Sequence, residues 1–414
     1  MRVIRAQLKL LGRLWRLDPP LRLVWRVHRW FAGYLVREFA WWYAAWCAGL
    51  IALLAALGWL DSAPGVVATM LLAAALAWFA WLGVQSHRSA RAVDRALDAI
   101  PGEPAEFRFP RSHLVVPPLM LVARSVRRER GVIFHTEGRL RLRLDVYRPA
   151  ATSSDEPLPA VVQVHGGGWI SGSRLEQGIP LLNHLATNGW VGLNVDYRLS
   201  PRATLPDHVI DVKRAIAWAR AHSDELGIDP ARIALTGGSA GGHVTALAAL
   251  TSDDRSLQPG FEDADTSVAA AVPFYGVYDM LDTDAVYYEG LRSWLLEQVV
   301  IKRRRDEDPD LFRAVSPTHR IHPGAPPFLI FHGEHDSLVP VDDARTFARR
   351  LSETSRSEVL YVELPGAEHA FDLFPSARTA HVVEGIERFL RLHVPAPGEE
   401  PARAGGRSAN LTRA

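Results

Sequence analysis

The chain has 414 residues and 48% hydrophobic content, enough for one large core and a smaller additional unit. A single cysteine, Cys47, excludes an intramolecular disulfide and fits a reducing compartment. The formal net charge of +1 hides a local bias, because residues 1–40 carry nine basic side chains (Arg2, Arg5, Lys9, Arg13, Arg16, Arg22, Arg26, Arg29 and Arg37) against Asp18 and Glu38. Residues 2–38 mix arginine with Leu, Val and Trp at helical spacing and break at Asp18-Pro19-Pro20. This pattern predicts a basic amphipathic segment over 1–40 on a membrane surface, with its apolar face down and its guanidinium groups on lipid phosphates. A nucleic-acid patch is the other use of such residues, and the apolar stretch that follows makes anionic lipid the simpler partner.

From Phe39 to Leu60 no residue is charged, and Ser62 to His87 again lacks Asp, Glu, Lys and Arg. Each stretch is long enough to cross ~30 Å of hydrocarbon as a helix. Asp61-Ser62-Ala63-Pro64-Gly65 between them breaks the pattern tightly, which predicts a two-helix transmembrane hairpin over 41–85. Trp41, Trp42, Trp59, Trp78 and Trp81 lie near its ends, as interfacial aromatics do. Some 40 residues precede the apolar run, far more than the basic region of a cleaved signal peptide. Arg37 before the hairpin and Arg88, Arg91 and Arg95 after it predict that both ends, and the rest of the chain, face the cytoplasm in a cell membrane.

Residues 86–130 read as a linker with an apolar patch at Leu114–Ala123, or as a cap over a pocket further along. From 131 to 394 strand and helix patterns alternate, as in a mostly parallel sheet with helices on both faces. The first buried strand, Leu158–His165, runs into Gly166-Gly167-Gly168-Trp169. Such a loop presents main-chain N–H groups to a developing oxyanion, and glycines leave room for the carbonyl to approach. The stretch lacks both the Lys-Ser/Thr of a phosphate loop and the spacing of a dinucleotide fingerprint. Strand and helix patterns follow at Val191–Val195 and Pro206–Ala221, and Asp196, Arg198 and Asp211 are read as structural braces.

Arg232-Ile-Ala-Leu-Thr-Gly-Gly-Ser239-Ala-Gly-Gly-His243 then leads into an alanine-rich helix pattern through Leu250. Gly237-Gly238-Ser239-Ala240-Gly241 fits the G-x-S-x-G elbow, in which a strand-to-helix turn exposes the serine hydroxyl. The competing reading is a glycine turn with a serine helix cap. With Ser239 as nucleophile, the amides of Gly167, Gly168 and Ala240 are the predicted oxyanion donors. After the strand at Val268–Phe274, residues 278–321 exceed an ordinary connection and form a lid-like insertion. Its Tyr287, Tyr288, Trp294, Leu295 and Leu296 are candidates for a substrate wall.

The strand Pro327–Gly333 ends in Glu334-His335-Asp336, and Glu358–Leu364 ends in a loop with His369. Asp336 at a strand end can accept the Nδ1–H of His369 and orient it as general base toward Ser239. Glu334 and Asp279 are substitutes for Asp336. His332, His335 and Asp336 imitate a metal pair but lack a further ligand, so no metal and no organic cofactor are expected. His165 is read as shaping the oxyanion loop and His243 as a packing residue.

His165-Gly166-Gly167-Gly168-Trp169, Asp196-Tyr197-Arg198-Leu199-Ser200-Pro201, Gly237–Gly241, Gly333–Asp336 and His369 together resemble the hormone-sensitive-lipase-like branch of α/β-hydrolases, over roughly residues 131–394. The resemblance implies an α/β-hydrolase fold and a serine carboxylesterase or lipase acting on an acyl ester, with Gly167, Gly168 and Ala240 as its oxyanion hole. Gly238 stands where much of that family has Asp or Thr, and Arg202 follows Pro201 where Pro-Glu is frequent. These departures bring the chain nearer to bacterial esterases and kynurenine-formamidase-like enzymes, so amide or formamide hydrolysis is the alternative. A non-catalytic ligand-binding hydrolase fold is a further alternative, and such proteins generally lose the base that His369 supplies here. The membrane hairpin points to lipid-like substrates, and residues 395–414 read as a disordered tail.

Overall fold

A computed structural model describes residues 20–98, 123–151 and 156–394. The first half of the basic segment, residues 99–122 with the Leu114–Val122 part of the apolar patch, and the 395–414 tail lie outside the described residues.

Long uninterrupted apolar runs build the sheet, because parallel strands are buried on both faces. Strands β1 (Val126–Glu137), β2 (Leu140–Pro149), β3 (Leu158–Val164), β4 (Val191–Val195), β5 (Ile228–Gly238), β6 (Ala270–Phe274), β7 (Phe328–Gly333) and β8 (Val359–Leu364) lie in the order β1-β2-β4-β3-β5-β6-β7-β8. The pairs β1–β2 and β2–β4 are antiparallel, and every pair from β4 through β3 to β8 is parallel. This mostly parallel eight-stranded sheet with its helices is the α/β-hydrolase fold. It begins at Val126, five residues before the expected boundary, because β1 pairs with β2 from that point.

The parallel strands place their C-terminal ends along one edge, and the loops there converge. Open α/β sheets bind ligands at that edge. Ser239 follows β5, Asp336 follows β7, His369 follows β8, and the Gly166–Gly168 turn follows β3.

Among the described residues three long helices precede the sheet, α1 (Leu21–Glu38), α2 (Ala40–Ala56) and α3 (Ala63–Leu97). The later helices of nine residues or more are α4 (Ile179–Thr187), α5 (Asp207–Ala221), α6 (Ala240–Ala249), α7 (Gly290–Ile301), α8 (Val341–Thr354) and α9 (Ala377–His393). The Ser62 hydroxyl caps α3 by accepting the Gly65 amide at 3.2 Å, with Pro64 in the first turn. Tyr43 packs on Phe79 and Trp41 on His87, so α2 and α3 run antiparallel. Among the described residues α3 alone is long and apolar enough to cross a membrane as a single helix. The apolar pair α1 and α2 reaches that length only together and is bent by 67°. Trp46, Met70, Leu71 and Trp78 stand exposed on α2 and α3, a large apolar surface that the other described residues leave uncovered.

Two boundaries differ from expectation. Helix α3 continues beyond residue 85 to Leu97, because Ser89, Ala92, Val93 and Ala96 form a small-residue face buried against the hydrolase body. Helix α1 turns Leu23, Val27, Trp30 and Tyr34 into the main core, so its apolar face covers protein and not lipid. That spacing of four, three and four is one helical face. Part of the covering role expected of 86–130 therefore falls to 21–38.

Candidate active site

The turn after β5 is the most constrained point of the site. Ser239 sits at φ 59° and ψ −122°, and its amide donates to the Phe274 carbonyl at 2.9 Å. A serine at positive φ is strained and persists only where its surroundings over-determine it. A Cβ at Gly241 would stand 2.3 Å from the Val164 carbonyl oxygen, so the close approach of β3 to α6 (Ala240–Ala249) needs glycine. A Cβ at Gly238 would meet the Tyr275 hydroxyl at 2.6 Å. Tyr275 thus occupies the space that a larger residue before the serine would fill, which explains the departure at position 238.

The Ser239 hydroxyl lies 2.9 Å from His369 Nε2, and His369 Nδ1 lies 2.6 Å from Asp336 Oδ2. The carboxylate acceptor fixes the proton on Nδ1 and leaves Nε2 to receive one from the serine. Asp336 Oδ1 accepts the amides of Leu338 at 2.9 Å and Val339 at 2.8 Å. His332 Nε2 lies 3.2 Å from Asp336 Oδ2 and 3.0 Å from the Val339 carbonyl oxygen. Burial by itself would raise the Asp336 pKa, but the positive charge of His369 and the hydrogen bonds from His332 and His369 hold it well below the usual carboxylate range. Asp336 is therefore an anion ready to steady an imidazolium.

The alternatives are placed elsewhere. Glu334 is exposed and accepts the Gly366 amide at 2.8 Å. Asp279 accepts the amides of Leu281 and Thr283. His243 Nε2 bonds the Val315 carbonyl at 2.8 Å, and burial lowers its pKa to about 4. His165 stacks on Tyr197 at 4.3 Å between ring centroids, and its Nδ1 meets its neighbour's carbonyl, that of Gly166, at 2.8 Å. His332 supports Asp336, and among the described residues no group of three or more His, Cys, Asp or Glu could hold a metal ion. Arg198 Nε bonds Asp211 at 2.8 Å, a brace as expected.

Gly167 and Gly168 have φ of 117° and 60°, a conformation that turns this loop toward the pocket. The Gly166 amide is held by Gln177 Oε1 at 2.6 Å, so it is committed to the scaffold. Gly166, Gly167, Gly168, Ser239 and His369 all line one cavity with about 990 Å³ of open space. Ser171, Glu176 and Gln177 also line it, and most of its remaining wall is apolar. Leu23, Val27 and Trp30 come from α1, while Tyr288, Leu291, Trp294 and Leu295 come from the 278–321 insertion. The insertion's helix α7 (Gly290–Ile301) carries three of those four. Tyr287 and Leu296 do not line the cavity: Tyr287 donates its hydroxyl to Asp343 at 2.6 Å, and Leu296 is buried in the core.

Two contributors were not legible in the sequence. Trp30 donates its indole N–H to the His369 carbonyl at 2.8 Å and sets its ring edge-on to the imidazole, 6.2 Å between centroids. Nothing distinguishes Trp30 from the other tryptophans of an apolar, arginine-rich segment. Tyr275 packs its ring 4.6 Å from that of His369 and donates its hydroxyl to the half-buried Asp372. Its only signal is a bulky residue beside Gly276 at the end of a strand.

The profile of the BD-FAE family matches residues 144–351, half of the chain. The chain belongs to this family of α/β-hydrolases. The matched residues include Ser239 and Asp336, and the hormone-sensitive-lipase-like resemblance agrees with them. BD-FAE membership is accompanied by similarity to two Mycobacterium tuberculosis proteins. One is a probable carboxylic ester hydrolase, LipM, 48% identical over 60% of this chain and 57% of its own length. The other is esterase LipC, 46% identical over 60% of this chain and 61% of its length. The chain thus spans about three-fifths of the curated relatives it matches. Among solved structures, butyrate-bound esterase 2 of Thermogutta terrifontis is similar at a TM-score of 0.54 and 28% identity, covering 70% of this chain and all of that one.

Proposed function

We propose that this chain is a membrane-anchored serine hydrolase that cleaves carboxylic esters through an acyl-enzyme. The hydrogen-bonded line Ser239–His369–Asp336, opening on an apolar pocket, carries this reading. The ester-hydrolase names of its relatives support it. His369 Nε2 takes the Ser239 proton as Oγ attacks the acyl carbonyl, and Asp336 balances the imidazolium that forms. The carbonyl electrons move onto oxygen, where the amides of Gly167, Gly168 and Ala240 receive them, assisted by the positive end of α6. The tetrahedral species collapses, the alcohol departs with the proton from His369, and the acyl group stays on Ser239. Water then gives a proton to His369 as it attacks the acyl carbonyl, and the second tetrahedral species collapses to the carboxylic acid as the Ser239 Oγ leaves with that proton from His369.

The wall of Leu23, Val27, Leu291, Trp294 and Leu295 suits an aliphatic acyl chain, and a solved relative holds butyrate. The exposed apolar face of α2 and the first half of α3 supports a two-span anchor, and the arginines at both of its flanks support a cytoplasmic hydrolase body. Helix α1 connects anchor and pocket directly, which favours lipid-like esters that partition into the bilayer. The test is turnover of p-nitrophenyl esters of increasing chain length by the full chain in detergent. Wild type should hydrolyse them, and Ser239→Ala should lose activity by a factor on the order of 10⁶. Equal turnover by both proteins would refute the mechanism.

A further inference from the structure

A second cavity, with about 1020 Å³ of open space, lies beside the helical anchor and takes no part in the chemistry above. Arg88, Arg91 and Arg95 line it from α3, and Arg37 lines it from the end of α1. Spacings of three and four put the α3 arginines on one face of the helix, continuous with Trp81 and Gln85. Among the described residues none of these four arginines pairs with a carboxylate. Arg37 donates to the Gly366 carbonyl at 2.9 Å, Arg88 to the Gln85 amide oxygen at 3.0 Å, and Arg95 to the Arg91 carbonyl at 3.0 Å. The one carboxylate in the wall is Glu334, which accepts the Gly366 amide. Four guanidinium groups against a single engaged carboxylate leave a concave site with a surplus of positive charge.

Its position along α3 says what should fill it. The helix is uncharged up to His87, with Trp78 and Trp81 exposed, and the arginines begin at Arg88. An apolar helix that passes through tryptophans into arginines crosses from hydrocarbon to the headgroup layer at that point. Guanidinium groups bind phosphate through paired N–H donors, and they do so best where several converge. We infer that this cavity is a binding site for the phosphate headgroup of an anionic phospholipid, held by Arg37, Arg88, Arg91 and Arg95 with Trp81 at the acyl-chain side. The inference rests on the membrane-anchored reading. The opposite wall is formed by Glu334, His335, Pro365 and Gly366, on the two loops that continue to Asp336 and His369. The headgroup therefore sits against the outer side of the loops that carry the acid and the base.

The test uses the full chain as Ser239→Ala in a non-ionic detergent, titrated with fluorescent short-chain phosphatidylglycerol and read by anisotropy. Binding should saturate, weaken as salt is added, and fall at least tenfold in affinity when Arg88→Gln and Arg91→Gln are combined. Both side chains are exposed, so this pair leaves the core intact. The pair Arg303→Gln and Arg304→Gln, on the lid-like insertion, should bind as the parent does. Equal affinity in all three proteins would overturn the site, and so would equal binding of the phosphatidylcholine analogue. Displacement of the lipid by inorganic phosphate at matched concentration would overturn the lipid assignment. The readout involves no turnover, so failure of the ester-cleavage reading leaves it standing. Carbonate extraction of the same chain separates the anchor from the site: an extractable chain that still binds the lipid keeps the site and removes the span.

Discussion

Each functional side chain is held by a neighbour that does no chemistry. Ser239 is fixed by its amide bond to Phe274, His369 by Trp30 and Tyr275, and Asp336 by two amides and His332. Such restraint would keep the geometry of the proposed triad while a proton moves between Ser239 and His369. Buried histidines also set a pH limit on the fold. His243 Nε2 donates to the Val315 carbonyl while its buried Nδ1 has no partner among the described residues, so burial keeps the ring neutral in the folded state. Burial lowers its folded pKa from an ordinary 6.5 to about 4. Below 6.5 the unfolded chain binds the extra proton, so the stabilisation is complete above pH 6.5 and is lost as pH falls toward 4. His208, whose pKa burial lowers to about 3, acts in the same direction. Thermal midpoints measured between pH 7 and 4 should drop for the parent, and His243→Gln, which keeps the donor, should show a shallower slope. An unchanged slope would remove His243 from the acid response.

Among the elements, α1 shows why a correct pattern can be given the wrong neighbour. Its residues at 23, 27, 30 and 34 form an apolar stripe flanked by arginines, which suits a lipid surface as well as a protein one. What decides the matter is a buried ion pair far apart in the chain: Glu38 accepts Arg378 Nε at 2.9 Å and the Ser376 hydroxyl at 2.7 Å. Arg378 also donates to Ser89 at 2.7 Å and to the Pro365 carbonyl, so α1, α3 and α9 (Ala377–His393) meet at one guanidinium. Removing one member of such a pair strands the other charge. Glu38→Ala should therefore lower unfolding free energy by about 3–5 kcal/mol in denaturant titration of the detergent-solubilised chain. A loss below about 1 kcal/mol would mean that α1 is not locked to the hydrolase body. The strands around the site were legible, because β3, β4, β5, β7 and β8 are apolar runs bounded by glycine, proline or charge. The seating of α1 was not, because it depends on pairings more than 300 residues apart.

At the scale of the whole molecule, an apolar helix pair, a covering helix and a hydrolase body form a continuous series. The order of nucleophile, acid and base in the sequence was enough to anticipate which three side chains meet, since the fold gathers strand ends along one edge. The identity of the pocket's walls was only half legible. The aromatic insertion announced itself by length and composition, whereas Leu23, Val27 and Trp30 come from a segment whose pattern pointed to lipid. The basic cavity joins these parts, because its arginines terminate the apolar helix and its far wall supports the loops of Asp336 and His369. The account depends most on Ser239 being the nucleophile of this chain. The direct measurement is peptide mapping by mass spectrometry after a fluorophosphonate treatment of the detergent-solubilised protein. The adduct should lie on Ser239, at one per chain, and its formation should slow strongly in His369→Ala. A folded chain that carries no adduct, or carries it on another residue, would contradict the account.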